Sequence, residues 1–70
     1  MEEREHLVYL TEREVSALTG LSLSKLRMDR MNKVGIPYSK LGKSVRYLRA
    51  DVHRYMEACR VETNGLEKGE

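Results

Sequence analysis

The sequence predicts a small α+β domain: two short helices meeting through a tight turn, then a two-stranded basic hairpin and a closing amphipathic helix. Three observations carry that reading. Thr11 opens a capping box, and Gly20-Leu21-Ser22 closes one helix and begins the next within three residues. Gly35-Ile36-Pro37 then interrupts the chain ahead of two strand-like runs joined by Gly42-Lys43-Ser44. Finally, Val52, Tyr55, Met56 and Cys59 recur at i, i+3, i+4 and i+7, the most regular helical pattern in the chain.

Length and composition narrow the field further. Seventy residues make one domain at most, with a compact core that four Tyr, no Trp and no Phe leave to Leu, Val, Met, Ile and Tyr. The single Cys59 has no internal disulfide partner, and no charged leader precedes a long apolar run. A reducing, cytoplasmic setting is expected. The longest apolar run, Leu7 to Leu10, falls far short of the roughly 20 residues that span a bilayer, so no membrane insertion is expected.

Taken in order, residues 1–6 (Met1 to His6) are charged and expected to fray, residues 7–60 to form the domain, and residues 61–70 to be a disordered tail rich in Gly and charge. Leu7 to Leu10 fits a short strand or an extended lead-in. The Thr11 hydroxyl is placed to accept from the Glu14 N–H while the Glu14 carboxylate reaches back, and Val15 and Leu18 give the first helix its apolar stripe. Gly20 supplies the left-handed closure, and the small Ser16 and Ala17 leave room for a second helix to cross closely.

Ser22 caps the second helix, expected over Leu23 to Lys33 with Leu23, Leu26 and Met31 turned inward. At roughly 100° per residue, Lys25, Met28, Asp29 and Asn32 face away, while Arg27 and Arg30 fall among the apolar positions and must snorkel to the helix edges. After the break, Tyr38 to Leu41 and Val45 to Leu48 read as the two hairpin strands, with Gly42 providing the positive φ of the turn. In the third helix, from about Ala50, Asp51 suits the positive end of the helix dipole and Cys59 is read as a small buried hydrophobe.

Charge is distributed unevenly along this scaffold. Between Lys25 and Arg49 stand eight basic residues against one acid, Asp29, whereas residues 1–24 carry two basic and five acidic side chains and residues 50–70 three and five. A formal net charge of +2 thus conceals a central stretch of +7 between acidic flanks, the mark of a surface meant for a polyanion. Lysines on a hairpin also block strand addition, a purely protective use of the same residues.

Signs of catalysis or cofactor binding are missing. Gly42-Lys43-Ser44 looks like the end of a phosphate-binding P-loop, but Pro37 stands where that motif needs its first glycine. His6, His53 and Cys59 lack metal-ligand spacing, and the carboxylates of the first 14 residues form a solvated acidic face and capping box. No enzyme, metal or cofactor is expected.

The order of helix, tight turn, helix, Gly-x-Pro break, basic hairpin and helix resembles the winged helix-turn-helix family of phage and transposon excisionases, including AlpA-type regulators. Leu10-Thr11 with Glu14-Val15, Gly20-Leu21-Ser22, Lys25-Leu26-Arg27, Ile36-Pro37, Leu41-Gly42, Arg46-Tyr47, Asp51-Val52 and Tyr55 carry the likeness. The first half is also similar to mercury-resistance-type regulators, whose long dimerisation helix has no counterpart here. Two departures stand out: Asp29 occupies a position where the family places a bulky apolar residue, and Arg49-Ala50 replaces the polar cap of the last helix.

The resemblance implies a recombination directionality factor or small transcriptional regulator of a mobile element. Its second helix would enter the major groove, and its wing would follow the backbone or reach the minor groove. The recognition-helix set is then Ser22, Ser24, Lys25, Arg27, Met28, Arg30 and Lys33. Ser24, Lys25, Arg27 and Met28 face the groove within it, where Lys25 or Arg27 can bond guanine and Met28 can touch a thymine methyl. Lys40, Lys43, Ser44 and Arg46 form the wing set, and with Arg30 and Lys33 they address phosphates or the minor groove. Partners are double-stranded DNA, further copies on adjacent sites, and an integrase or other recombinase reached through the tail. The rival from another class is a protein-interaction adaptor whose basic face meets an acidic partner.

Overall fold

A computed structural model of the protein describes residues 8–63 and begins with strand β1 (Tyr9–Leu10). Helices α1 (Glu12–Thr19) and α2 (Leu23–Met31) follow, then strands β2 (Ser39–Leu41) and β3 (Ser44–Leu48) and helix α3 (Arg49–Ala58). The expected fraying of residues 1–6, the place of Leu7 and most of the expected tail, residues 64–70, lie outside the described residues. Residues 61–63 form neither helix nor strand.

The Thr11 capping box is present, with Glu14 N–H donating to Thr11 Oγ1 at 3.2 Å and Thr11 N–H to Glu14 Oε1 at 2.8 Å. Gly20 closes α1 at φ 82°, its N–H donating to the Ser16 carbonyl. The turn is braced by side chains: the Ser16 hydroxyl donates to the Leu21 carbonyl at 2.6 Å, and Thr19 Oγ1 accepts from the Leu21 N–H at 3.1 Å. Ser22 then caps α2 by accepting from the Lys25 N–H at 3.0 Å. Helix α3 starts behind Leu48, which offers no side-chain cap bond, as the missing polar cap foretold.

The hairpin is part of a three-stranded antiparallel sheet of order β1-β3-β2, which corrects the expected two-stranded wing. Tyr9 pairs with Leu48 and Leu10 with Tyr47, so the lead-in satisfies backbone groups that would leave β3 an open edge. Across the other edge Ser39 pairs with Arg46 and Leu41 with Ser44, leaving Gly42-Lys43 as a two-residue turn with φ 66° at the glycine. Ser44 accordingly belongs to β3 and not to the turn.

Central position in the sheet buries Tyr47. It forms the core with Val15, Leu26, Ile36 and Val52, and Leu10, Leu21, Val45 and Tyr55 pack around that group. Several expected core residues lie elsewhere. Leu18 and Met31 are exposed, since eight-residue α1 encloses only Val15, and Met31 sits about 140° around α2 from Leu26. Met56 and Cys59 are exposed too: α3 seats Val52 and half-buries Tyr55, while its last turn and the Cys59 cap position lie in solvent. The long i, i+3, i+4, i+7 pattern is therefore used only in its first half.

The inner face of α2 differs most from expectation. It comprises Leu26 flanked by Asp29 and Arg30, so Asp29, read as facing away, is buried at 9% exposure. Lys25 Nζ donates to Asp29 Oδ1 at 3.0 Å, one turn back along the helix, and supplies the charge a buried carboxylate requires. The residue that departs from the family pattern thus keeps the inward position and carries its own partner. The helix also ends earlier than expected, at Met31. Lys33 adopts φ 57°, and bonds from Val34 N–H to Asp29 O (2.9 Å) and from Lys33 N–H to Arg30 O (3.1 Å) close a Schellman motif. Lysine here occupies the left-handed position that glycine usually takes. Gly35-Ile36-Pro37 therefore follows a finished helix and does not terminate it.

Candidate nucleic-acid interface

With Leu26, Asp29 and Arg30 turned inward, α2 presents Ser24, Arg27, Met28 and Met31 outward along one stripe, with Lys25 and Asn32 beside it. Met28 is 58% exposed and Met31 80%. Two such methionines contribute little to the core and are free to meet an apolar group on a partner. Expected groove residues Ser24, Lys25, Arg27 and Met28 are thus exposed together; Met31, assigned to the core from sequence, joins them.

The basic side chains of α2 are not equivalent. Lys25 is tied to Asp29, whose hydrogen bond and charge raise its pKa above the ordinary value. Arg27 makes a two-pronged contact with Glu12 of α1: Nε donates to Oε1 at 3.2 Å and Nη2 to Oε2. Arg30 does not snorkel outward. Its Nη1 donates to the Tyr47 hydroxyl at 2.6 Å and its Nη2 to Glu12 Oε1 at 3.3 Å. The guanidinium carbon also lies 5.8 and 5.9 Å from the Tyr38 and Tyr47 ring centres. Burial disfavours the Arg30 charge, but the bonds to Tyr47 and Glu12 outweigh it and its pKa rises. Arg30 is thereby committed to the fold, with only its edge in the cleft described next.

That cleft, about 390 Å³, lies between the start of α1 and the hairpin and is lined by Thr11, Glu12, Arg13, Arg30, Lys43, Val45 and Arg46. Lys43 and Arg46 of the expected wing set therefore converge with Arg13, which sequence reading passed over because it sits in the acidic first third. Arg46 is half-buried and its Nη1 donates to the Val45 carbonyl at 2.8 Å. Lys40 and Ser44 are exposed outside the cleft lining, and Lys33 lines a separate hollow with residues 34–38. Ser22 is occupied as the α2 cap. Among the described residues no group of three His, Cys, Asp or Glu could hold a metal ion, and no helix is long and apolar enough to cross a membrane.

Glu12 was likewise missed as a site residue, having been read only as part of the solvated acidic face and capping box. It joins the α2 stripe to the cleft. The hydrogen bond from Arg27, its charge, and those of Arg30 hold the Glu12 carboxyl below its ordinary 4.5, against burial that pushes upward. A carboxyl whose pKa falls on folding contributes stability above its unfolded value, and loses it as pH drops through the folded value. The stability difference between the wild type and Glu12→Gln should therefore hold steady from pH 7 to 5 and shrink below about pH 4.5. Urea midpoints measured across that range check this.

Residues 9–60, from β1 to just past α3, match a family described as a helix-turn-helix domain. The chain belongs to that family. No curated protein and no solved structure matches the chain. In helix-turn-helix terms, α1 and α2 are the paired helices and Gly20-Leu21-Ser22 is their turn. The β2–β3 hairpin stands as a wing beside the start of α1.

Proposed function

We propose that this helix-turn-helix domain is a sequence-specific duplex-DNA-binding protein. In this reading α2 enters the major groove and the wing follows the backbone, in the service of excision-type recombination or transcriptional control of a mobile element. The observation that carries the reading is the outer stripe of α2. Ser24, Arg27, Met28 and Met31 face solvent together, next to a cleft where Arg13, Lys43 and Arg46 gather positive charge. Polar, guanidinium and apolar tips on one helix face match the mixed edge of the major groove, and the cations beside it match phosphates. Lys33 and Lys40 add exposed charge at the periphery. Both biological roles use this one surface; copies on adjacent sites and a recombinase are the further partners in the first.

A duplex-DNA titration at several salt concentrations tests the proposal. Neutralising five phosphates, one each for Arg13, Lys33, Lys40, Lys43 and Arg46, predicts a log–log slope of about −4 to −5. The Lys43→Ala/Arg46→Ala double variant should bind every duplex more weakly and show a slope shallower by about 2. Absence of binding at low salt overturns the proposal and favours the acidic-partner adaptor.

A further inference from the structure

We propose that Glu12 is a specificity-determining residue, its carboxylate fixing the Arg27 guanidinium so that α2 reads one guanine end-on. The inference rests on the DNA-binding reading above and assigns a positioning role to a residue outside the recognition helix.

Arginine carries five N–H donors in a planar fork. Glu12 takes the side edge, with Oε1 on Nε and Oε2 on Nη2. Three N–H remain, and two of them, one from each Nη, form the end edge, whose spacing suits guanine O6 and N7. Arg27 keeps 54% of its side chain exposed, and its side-chain bonds among the described residues are both to Glu12 on the side edge. Glu12 is itself held. Its backbone lies in the first turn of a capped helix, and Oε1 also accepts from Arg30, whose other Nη is anchored on the hydroxyl of buried Tyr47. A continuous chain of hydrogen bonds thus runs from the core through Arg30 and Glu12 to an exposed guanidinium.

Affinity alone gives no reason for this arrangement. A carboxylate among Arg13, Arg27, Arg30, Lys43 and Arg46 cancels charge that would otherwise attract phosphates. Its return is order: a free arginine carries substantial rotamer entropy, and a plane held in advance favours the base that fits it over those that do not. Glu12 therefore weakens indiscriminate binding and sharpens discrimination.

The test selects preferred sites for the wild type from a random duplex library. It then titrates that site, its single-position variants and an unrelated duplex with wild type, Arg27→Ala, Glu12→Ala, Glu12→Gln and the Glu12→Ala/Arg27→Ala double variant. Arg27→Ala should lose about fivefold to a hundredfold preference at one guanine. Glu12→Ala and Glu12→Gln should lose about threefold or more at that same guanine and nowhere else, while binding the unrelated duplex more tightly. The double variant should discriminate no worse there than Arg27→Ala alone. If Glu12→Ala fails to fold, Glu12→Gln, which keeps the shape but presents an amide to one of the two arginine donors, decides the matter. Wild-type preference in a folded Glu12 variant, losses spread evenly over all positions, or no guanine that responds to Arg27→Ala overturns the inference and leaves DNA binding standing. No duplex binding by the wild type overturns both.

Discussion

Tyr47→Ala is expected to cost the domain a large share of its stability. Tyr47 is 1% exposed, the largest of the fully buried side chains, and sits on the central strand with its ring 6.2 Å from that of Tyr38. Removing a buried aromatic ring costs about 3–5 kcal/mol. A chain of this size has only about 4–10 kcal/mol of total stability, so the loss takes roughly a third to a half of it at the upper end and nearly all of it at the lower end. The damage extends past the cavity, because Arg30 loses its 2.6 Å acceptor and one of the two rings that its charge lies near, in a side chain only 18% exposed. Tyr47→Phe separates the two contributions: it keeps the ring, removes the acceptor, and should cost about 1–2 kcal/mol. Urea denaturation followed by circular dichroism measures both. A cooperative transition for Tyr47→Ala with a midpoint near that of the wild type would falsify this account of the core.

Much of the local structure was legible because local rules produce it. The Thr11 capping box, the left-handed Gly20 and the Ser22 cap depend on residues within a few positions of one another, and all three form as the sequence indicates. The unread parts depend on partners distant in sequence. Tyr47 became the centre of the core because β1 pairs with β3, and nothing in the two residues Tyr9-Leu10 announces that pairing. Ile36, read only as part of a chain break, is buried because that break folds back over α2. The helix wheel on α2 put Arg30 among the apolar positions but turned Asp29 outward and Met31 inward, because it ranks residues by polarity and takes no account of the partners that let a charge be buried. Asp29 and Arg30 lie inside, each with a partner, Lys25 for one and Tyr47 with Glu12 for the other, while Met31 goes to the surface. The same failure hid Glu12 and Arg13 from the candidate site: the acidic first third of the chain seemed remote from a basic surface that it in fact adjoins.

Gly35→Ala should be the most damaging of the glycine substitutions within the described residues, by about 2–5 kcal/mol, from two separate causes. At φ 84° any side chain meets the left-handed penalty of about 1–2 kcal/mol, which Gly20→Ala and Gly42→Ala share, at φ 82° and 66°. Only at Gly35 would the new Cβ also collide. It would stand 2.7 Å from Asp29 Oδ2, 3.1 Å from Cγ and 3.0 Å from Cβ, whereas nothing lies within 4 Å at the other two. Overpacking of that kind costs a further 1–3 kcal/mol or so, because Asp29 is buried and bonded to Lys25 and has little room to withdraw. Asp29→Ala removes the nearest atoms but not the Cβ, so Gly35→Ala should be milder in that background than in the wild type without becoming neutral. Equal costs in the two backgrounds, measured from urea midpoints, would show that backbone strain alone is responsible. Asp29 lies on the side of α2 away from Ser24 and Met28, so this damage reaches DNA binding only by unseating the helix. A Gly35→Ala preparation should show a reduced fraction of active protein and an unchanged salt slope, the reverse of the wing variants, which keep the fold and have a shallower slope.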